Sequence, residues 1–193
     1  MKHTSLQIIR DEHSSLAAML QSMRMMVERG PADKPESFFD VMRAMLFYID
    51  EFPERLHHPK ESNLLFPRVA KAAPHVMGTV DRLERDHMHS EKSVRDVQHL
   101  LLSWELLGES RHKAFTDAFK QYVDAYLEHM RLEEEVILPE AEKVLNEADW
   151  KELDAAFETN CDPLTGKYPP DPAYDRLFTR IVMRAPAPIG LGE

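Results

Sequence analysis

The chain has 193 residues, 13 of them proline, and a formal net charge of −10. That length supports one domain with an appendage and a sizeable core. The acidic balance offers no basic stripe for a nucleic-acid surface, and the single cysteine, Cys161, leaves no partner for a disulfide and no thiolate metal site.

Four long helical patterns fill residues 5 to about 146. In the first, Leu6, Ile9, His13, Leu16, Leu20, Met23 and Val27 recur at three- and four-residue steps, a bundle seam that Gly30-Pro31 closes. The second runs through Phe38, Val41/Met42, Met45, Tyr48/Ile49 and Phe52, where Pro53 is expected to break or kink it. His57 and Glu61 follow, and Pro59 between them means that this segment need not be regular helix. The third carries Val76, Val80, Leu83, His87, Glu91, Val94, Val97 and Leu101 and ends near Gly108. The fourth carries Phe115, Phe119, Tyr122, Tyr126, His129, Glu133 and Val136 and ends near Leu145. Short connections between the patterns favour antiparallel neighbours. The expected fold is therefore all-α, an antiparallel up-down-up-down four-helix bundle over residues 1–147. Residues 148–193 form a proline-rich C-terminal extension with short helices, in which Asp149 caps a helix through Phe157 and Tyr174 to Met183 makes another. Tyr168, Tyr174, Leu177, Phe178 and Ile181 are its expected anchors on the bundle. No apolar run reaches signal-peptide or membrane length, so the expected setting is soluble and reducing, most simply the cytoplasm.

The chemistry lies on the seams. His57, His87 and His129 each have a glutamate four residues later (Glu61, Glu91, Glu133), and His13 holds a seam position on the first helix. Four residues is about one helical turn, so each pair can grip one ion from one face. A surface His-Glu pair is worth only a few tenths of a kcal/mol. On a buried seam the same groups cost several kcal/mol unless they find a partner, and metal is the partner that suits them all. Imidazole and carboxylate fit iron, manganese or zinc, and these donors outnumber what one tetrahedral zinc uses. Two metals sharing bridging carboxylates fit better. The methionines of the first two helices fill core rather than bind copper. A ferritin-like scheme built on Glu54-x-x-His57 and Glu84-x-x-His87 leaves His13 and His129 without a role. His58 would point about 100° away from His57 on a regular helix and is read as an outer residue rather than a ligand. Tyr122 and Tyr126 share the seam with His129, where they pack the core and could hydrogen-bond an oxygen species.

The order of His13, then HHPKESNLLFP, then DHMHSE, then YLEHMRLEEEVILPEAE resembles the hemerythrin-like (HHE cation-binding) family over roughly residues 5–146. The resemblance implies an antiparallel four-helix bundle with two non-haem irons. It makes Glu61 and Glu133 the bridges, gives His87, Glu91 and His129 to one iron, and gives His13 and His57 to the other. Oxygen-carrying hemerythrins place histidine where Glu91 stands, and aspartate one residue beyond Glu133. The added carboxylate would favour the ferric state over reversible oxygen carriage. The expected function is thus a di-iron protein reacting with or sensing O2, peroxide or NO. The alternatives are an iron-responsive regulatory module without turnover, or ferritin-like iron handling.

Overall fold

A computed structural model describes residues 3–165 and 172–192, and among them there is helix but no strand. Helix α1 (Thr4–Arg29) buries Leu6, Ile9, His13, Leu16, Leu20 and Met23 along one face. It stops at Gly30, whose φ of 70° lies in the region that glycine enters without strain. Helix α2 (Pro35–Glu51) starts on a proline at its first turn, where the missing N–H would have had no helical partner.

The regular helix ends at Glu51, two residues before Pro53, as the proline leads one to expect. The chain continues through a π-helical turn (Pro53–His57), α3 (His58–Lys60), a second π turn (Glu61–Leu65) and α4 (Phe66–Ala72). The expected irregularity around Pro59 takes this form. Helix α5 (Met77–Leu107) is regular throughout and stops at Gly108, with φ 81°. Helix α6 (His112–Leu132) passes into a third π turn (Glu133–Ile137) and then α7 (Leu138–Val144). The turns beginning at Glu61 and Glu133 each end two residues before a proline, Pro67 or Pro139. A proline ring cannot donate and collides with the carbonyl four residues back, and the wide turn absorbs that misfit.

Helix α1 lies against α2 and α6, and α5 lies against α2 and α6. Two apolar clusters result. One joins Leu20, Met23, Met42, Met45, Leu101 and Phe115 with their neighbours, and the other joins Ile9, Phe66, Leu83, Ile137, Leu138 and Phe157 with theirs. Buried polar residues of the same rods, His13, His57, His58, Glu61, His129 and Glu133, belong to neither cluster.

The C-terminal segment packs on these rods. Helix α8 (Glu147–Phe157) lies on α1 and buries Trp150, Leu153 and Phe157, each contributing roughly 2–3 kcal/mol by removal from water. Ser5 donates both its N–H (2.7 Å) and its hydroxyl (2.6 Å) to Asp154 Oδ1. The cap of α8 is Asn146 rather than the expected Asp149. The Asn146 side chain accepts from the Ala148 and Asp149 N–H groups, and Asp149 reciprocates on the Asn146 N–H. Helix α9 (Asp175–Arg184) lies on α2 with Ile181 buried and Leu177 and Phe178 half-buried. Tyr174 donates to Glu51 at 3.0 Å. The expected anchor Tyr168 lies outside the described residues. No described helix is long and apolar enough to cross a membrane.

Candidate metal centre

Each rod contributes to one buried cluster. Glu133 on the third π turn sends Oε2 to within 3.2 Å of His13 Nε2 and Oε1 to within 3.2 Å of His129 Nε2. Glu61 on the second π turn sends Oε1 to within 3.0 Å of His57 Nε2 and Oε2 to within 3.5 Å of His87 Nε2. Each carboxylate is therefore divided between two histidine pairs. Within the pairs, His13 and His57 Nε2 stand 3.3 Å apart, and His87 and His129 Nε2 stand 3.0 Å apart.

The outer nitrogens explain why the inner ones converge. His13 Nδ1 lies 3.0 Å from Glu134, His57 Nδ1 lies 2.6 Å from Glu12, and His129 Nδ1 lies 3.5 Å from Asp86. An ionised carboxylate can only accept, so these Nδ1 atoms face outward as donors and each Nε2 faces the cluster, where it can carry a proton or offer a lone pair to a cation. His87 Nδ1 lies 2.8 Å from the Ser62 hydroxyl, which ties that ring to the second π turn. Outer oxygens that orient metal-binding imidazoles are arranged in this way.

Burial lowers the pKa of His57, but Glu61 and Glu12 outweigh it and hold the group well above its usual value. His13 is likewise raised, against burial, by Glu133 and Glu134. His129 is raised to about 10, against burial, by Glu133 and Asp86. His87 goes the other way, to about 2, because burial and the neighbouring His58 and His129 disfavour its charge. Burial and the charge of Glu133 raise Glu61, whereas His129 and His13 hold Glu133 well below the ordinary carboxylate range despite its burial. Without a cation, protons on the inner nitrogens are what balance the two carboxylates.

The donors fit a metal. Both oxygens of Glu61 and both of Glu133 are buried and face only imidazole nitrogens, an arrangement that costs several kcal/mol unless protons or a cation sit between them. Among the described residues two groups of ligand atoms qualify, each with all atoms within 4.8 Å of one another: His13, His57, Glu61 and Glu133, and His58, Glu61, His87 and His129. Glu61 belongs to both. Nitrogen and oxygen donors of this kind suit iron, manganese or zinc.

The structure brings together six of the seven ligands read from the sequence: His13, His57, Glu61, His87, His129 and Glu133. It does not bring in Glu91. That side chain is 55% exposed and pairs with Arg95 at 2.5 Å. His87 and Glu91 lie on regular helix, and no π turn swings the second residue inward. The extra carboxylate expected from Glu91 is therefore absent from the cluster, while Glu12, Glu134 and Asp86 stand at its outer edge. His58 also departs from expectation. It is buried within ligand distance, because the π turn ending at His57 brings consecutive residues onto the inner face. Tyr126 hydrogen-bonds His58 Nε2 at 3.0 Å, and Tyr122 lines the same cavity between α5 and α6. Glu84 of the ferritin-like alternative belongs to neither ligand group. Sequence reasoning missed Glu12, Ser62, Asp86, Glu134 and Asn160, which act through contacts between rods, and named Glu54 only in the ferritin-like alternative.

Comparison with known proteins agrees with this geometry. The hemerythrin HHE cation binding domain matches residues 4–141. The chain belongs to that family. Among curated relatives, the iron-sulfur cluster repair protein YtfE of Salmonella paratyphi B is 27% identical over 136 residues, 68% of this chain and 60% of that protein. The same protein of Salmonella newport gives the same figures. An uncharacterized protein of Haemophilus influenzae is 31% identical over 81 residues, 41% of this chain and 45% of its own length. This hemerythrin-domain chain thus spans about half to three-fifths of the curated relatives it matches.

Proposed function

We propose that this chain is a non-haem di-iron protein that senses or reacts with O2, peroxide or NO inside an antiparallel up-down-up-down four-helix bundle. Residues 1–147 form the bundle, and residues 148–193 form an extension that buttresses it. In this reading His13 and His57 hold one iron, His87 and His129 hold the other, and Glu61 and Glu133 bridge them. The observation that carries it is the division of each glutamate between the two histidine pairs.

Iron held there would supply one-electron chemistry toward a small oxidant or radical ligand. The protein's part is to position and to insulate. The apolar clusters flank the site, and Glu12, Glu134 and Asp86 face the outer nitrogens of the imidazoles. Their negative charge makes those imidazoles stronger donors, which favours the ferric state and argues against simple reversible oxygen carriage. Anaerobic titration with Fe(II), followed by stopped-flow mixing with O2, peroxide and NO, tests the reading. Two irons retained per chain and an absorbance change with at least one of the three support it. Failure to retain iron removes it.

The similarity to iron-sulfur cluster repair proteins favours a second reading, in which the chain serves cluster repair. Iron-loaded protein would then restore a damaged cluster in a test enzyme faster than the same concentration of free Fe(II).

A further inference from the structure

His58 is held differently from the histidines around it. His13, His57, His87 and His129 anchor Nδ1 outward and turn Nε2 to the shared carboxylates. His58 instead has Nδ1 3.1 Å from Glu54 Oε2 and Nε2 3.0 Å from the Tyr126 hydroxyl. Glu54 is itself anchored across to α5 by the Ser90 hydroxyl. Yet His58 stacks on His87 with ring centroids 4.1 Å apart, and it offers a ligand atom within 4.8 Å of those of Glu61, His87 and His129. A metal-competent imidazole thus sits beside the cluster with both nitrogens engaged elsewhere.

The space around it is uneven. A cavity of about 380 Å³ between α5 and α6 reaches His58, His87, Tyr126 and His129. A second space, bounded by Glu12, Tyr48, Asn160 and Asp162 and also touching His58 and Tyr126, is about 20 Å³, room for about one water. Among the described residues, the larger space beside His58 is the one between α5 and α6.

We propose that Tyr126 and Glu54 form a latch that holds His58 off the metal pair, keeping a coordination position on the His87/His129 side open to a small ligand from the α5–α6 cavity. The proposal rests on the di-metal reading above and assigns Tyr126 and Glu54 a positioning role. With Glu54 accepting from His58 Nδ1–H, the hydroxyl of Tyr126 donates to Nε2 and occupies the lone pair that would otherwise bind metal. Removing the hydroxyl frees that lone pair to compete with an incoming ligand.

The test compares iron-loaded wild type with Tyr126→Phe, using azide as the probe. Iron content, azide affinity from charge-transfer absorption, and histidine nitrogens counted by pulsed EPR of the mixed-valent state are read on each. In wild type the latch predicts four iron-bound histidines; five would overturn it, even if the variant fails to fold. In Tyr126→Phe it predicts unchanged iron content, one additional histidine nitrogen and roughly tenfold or greater weakening of azide binding. The double variant Tyr126→Phe/His58→Ala should regain wild-type azide affinity. Unchanged azide affinity and nitrogen count in Tyr126→Phe, with iron retained, would overturn the latch alone. Wild type that retains no iron would overturn the di-metal reading and the latch with it.

Discussion

His13 and His57, 44 residues apart in sequence, face each other Nε2 to Nε2 at 3.3 Å in the interior. Each has its other nitrogen fixed by a carboxylate, Glu134 for His13 and Glu12 for His57. Two inward lone pairs at that distance repel unless a proton or a cation lies between them. Metal removal should therefore destabilise the fold. Ligand present at a thousand times its dissociation constant stabilises by about 4 kcal/mol, which for a domain of this size is roughly 10 °C in Tm. Calorimetry with and without chelator should show a drop of that order; equal melting temperatures would mean that the cluster is balanced by protons alone.

Glu133 and Glu91 each follow a histidine by four residues, but only Glu133 reaches the cluster. Glu133→Gln should lower metal affinity roughly 10- to 100-fold or abolish binding, while Glu91→Gln should bind as wild type does. Isothermal titration with Fe(II) under argon separates the two. Equal losses would restore Glu91 to the ligand set.

Asn160 carries the C-terminal segment into the outer shell of the site. Its amide donates to Glu12 Oε2 at 2.9 Å, and the same oxygen holds His57 at 2.6 Å. Asn160→Ala should weaken metal binding about tenfold while leaving helix content unchanged. Competition with a chromophoric chelator measures the first and circular dichroism the second. Wild-type affinity in the variant would show that the segment is only a buttress.

Asp162 gives a pH dependence with a definite sign. Burial raises its pKa from 3.8 to about 6, and the hydrogen bonds from Tyr48 and from the Leu164 N–H only partly offset that. The folded chain then holds this proton more tightly than the unfolded chain does. Its contribution to stability is full below the unfolded value and is lost as pH rises through the window from about 4 to 6. Asp162→Asn should therefore gain on wild type across that window, by about 2 to 3 kcal/mol at most. Urea denaturation at pH 4 and pH 7 reads the difference; an advantage that does not grow with pH would contradict it.

The long rods are legible in the sequence because their apolar residues recur at helical spacing, and His13, His87 and His129 are legible because they fall on those seams. The errors arise where the helix is not regular. An angle of about 100° per residue turns His58 away from His57, but a π turn ends between them and both face inward. The sequence does carry a signal for this. His57 and His129 share the longer pattern His-x-x-x-Glu followed by proline six residues on, at Pro67 and Pro139, and His87 does not. That proline marks which glutamates stand on a widened turn. Glu12, Asp86 and Asn160 were not readable in the same way, since each serves a histidine or carboxylate on another rod and no spacing along the chain records it.

The most direct measurement is an anomalous difference map at the iron edge from crystals grown with Fe(II). The account predicts two peaks per chain, one beside His13 and His57 and one beside His87 and His129, with Glu61 and Glu133 reaching both. A single peak, or none among these six residues, would contradict it.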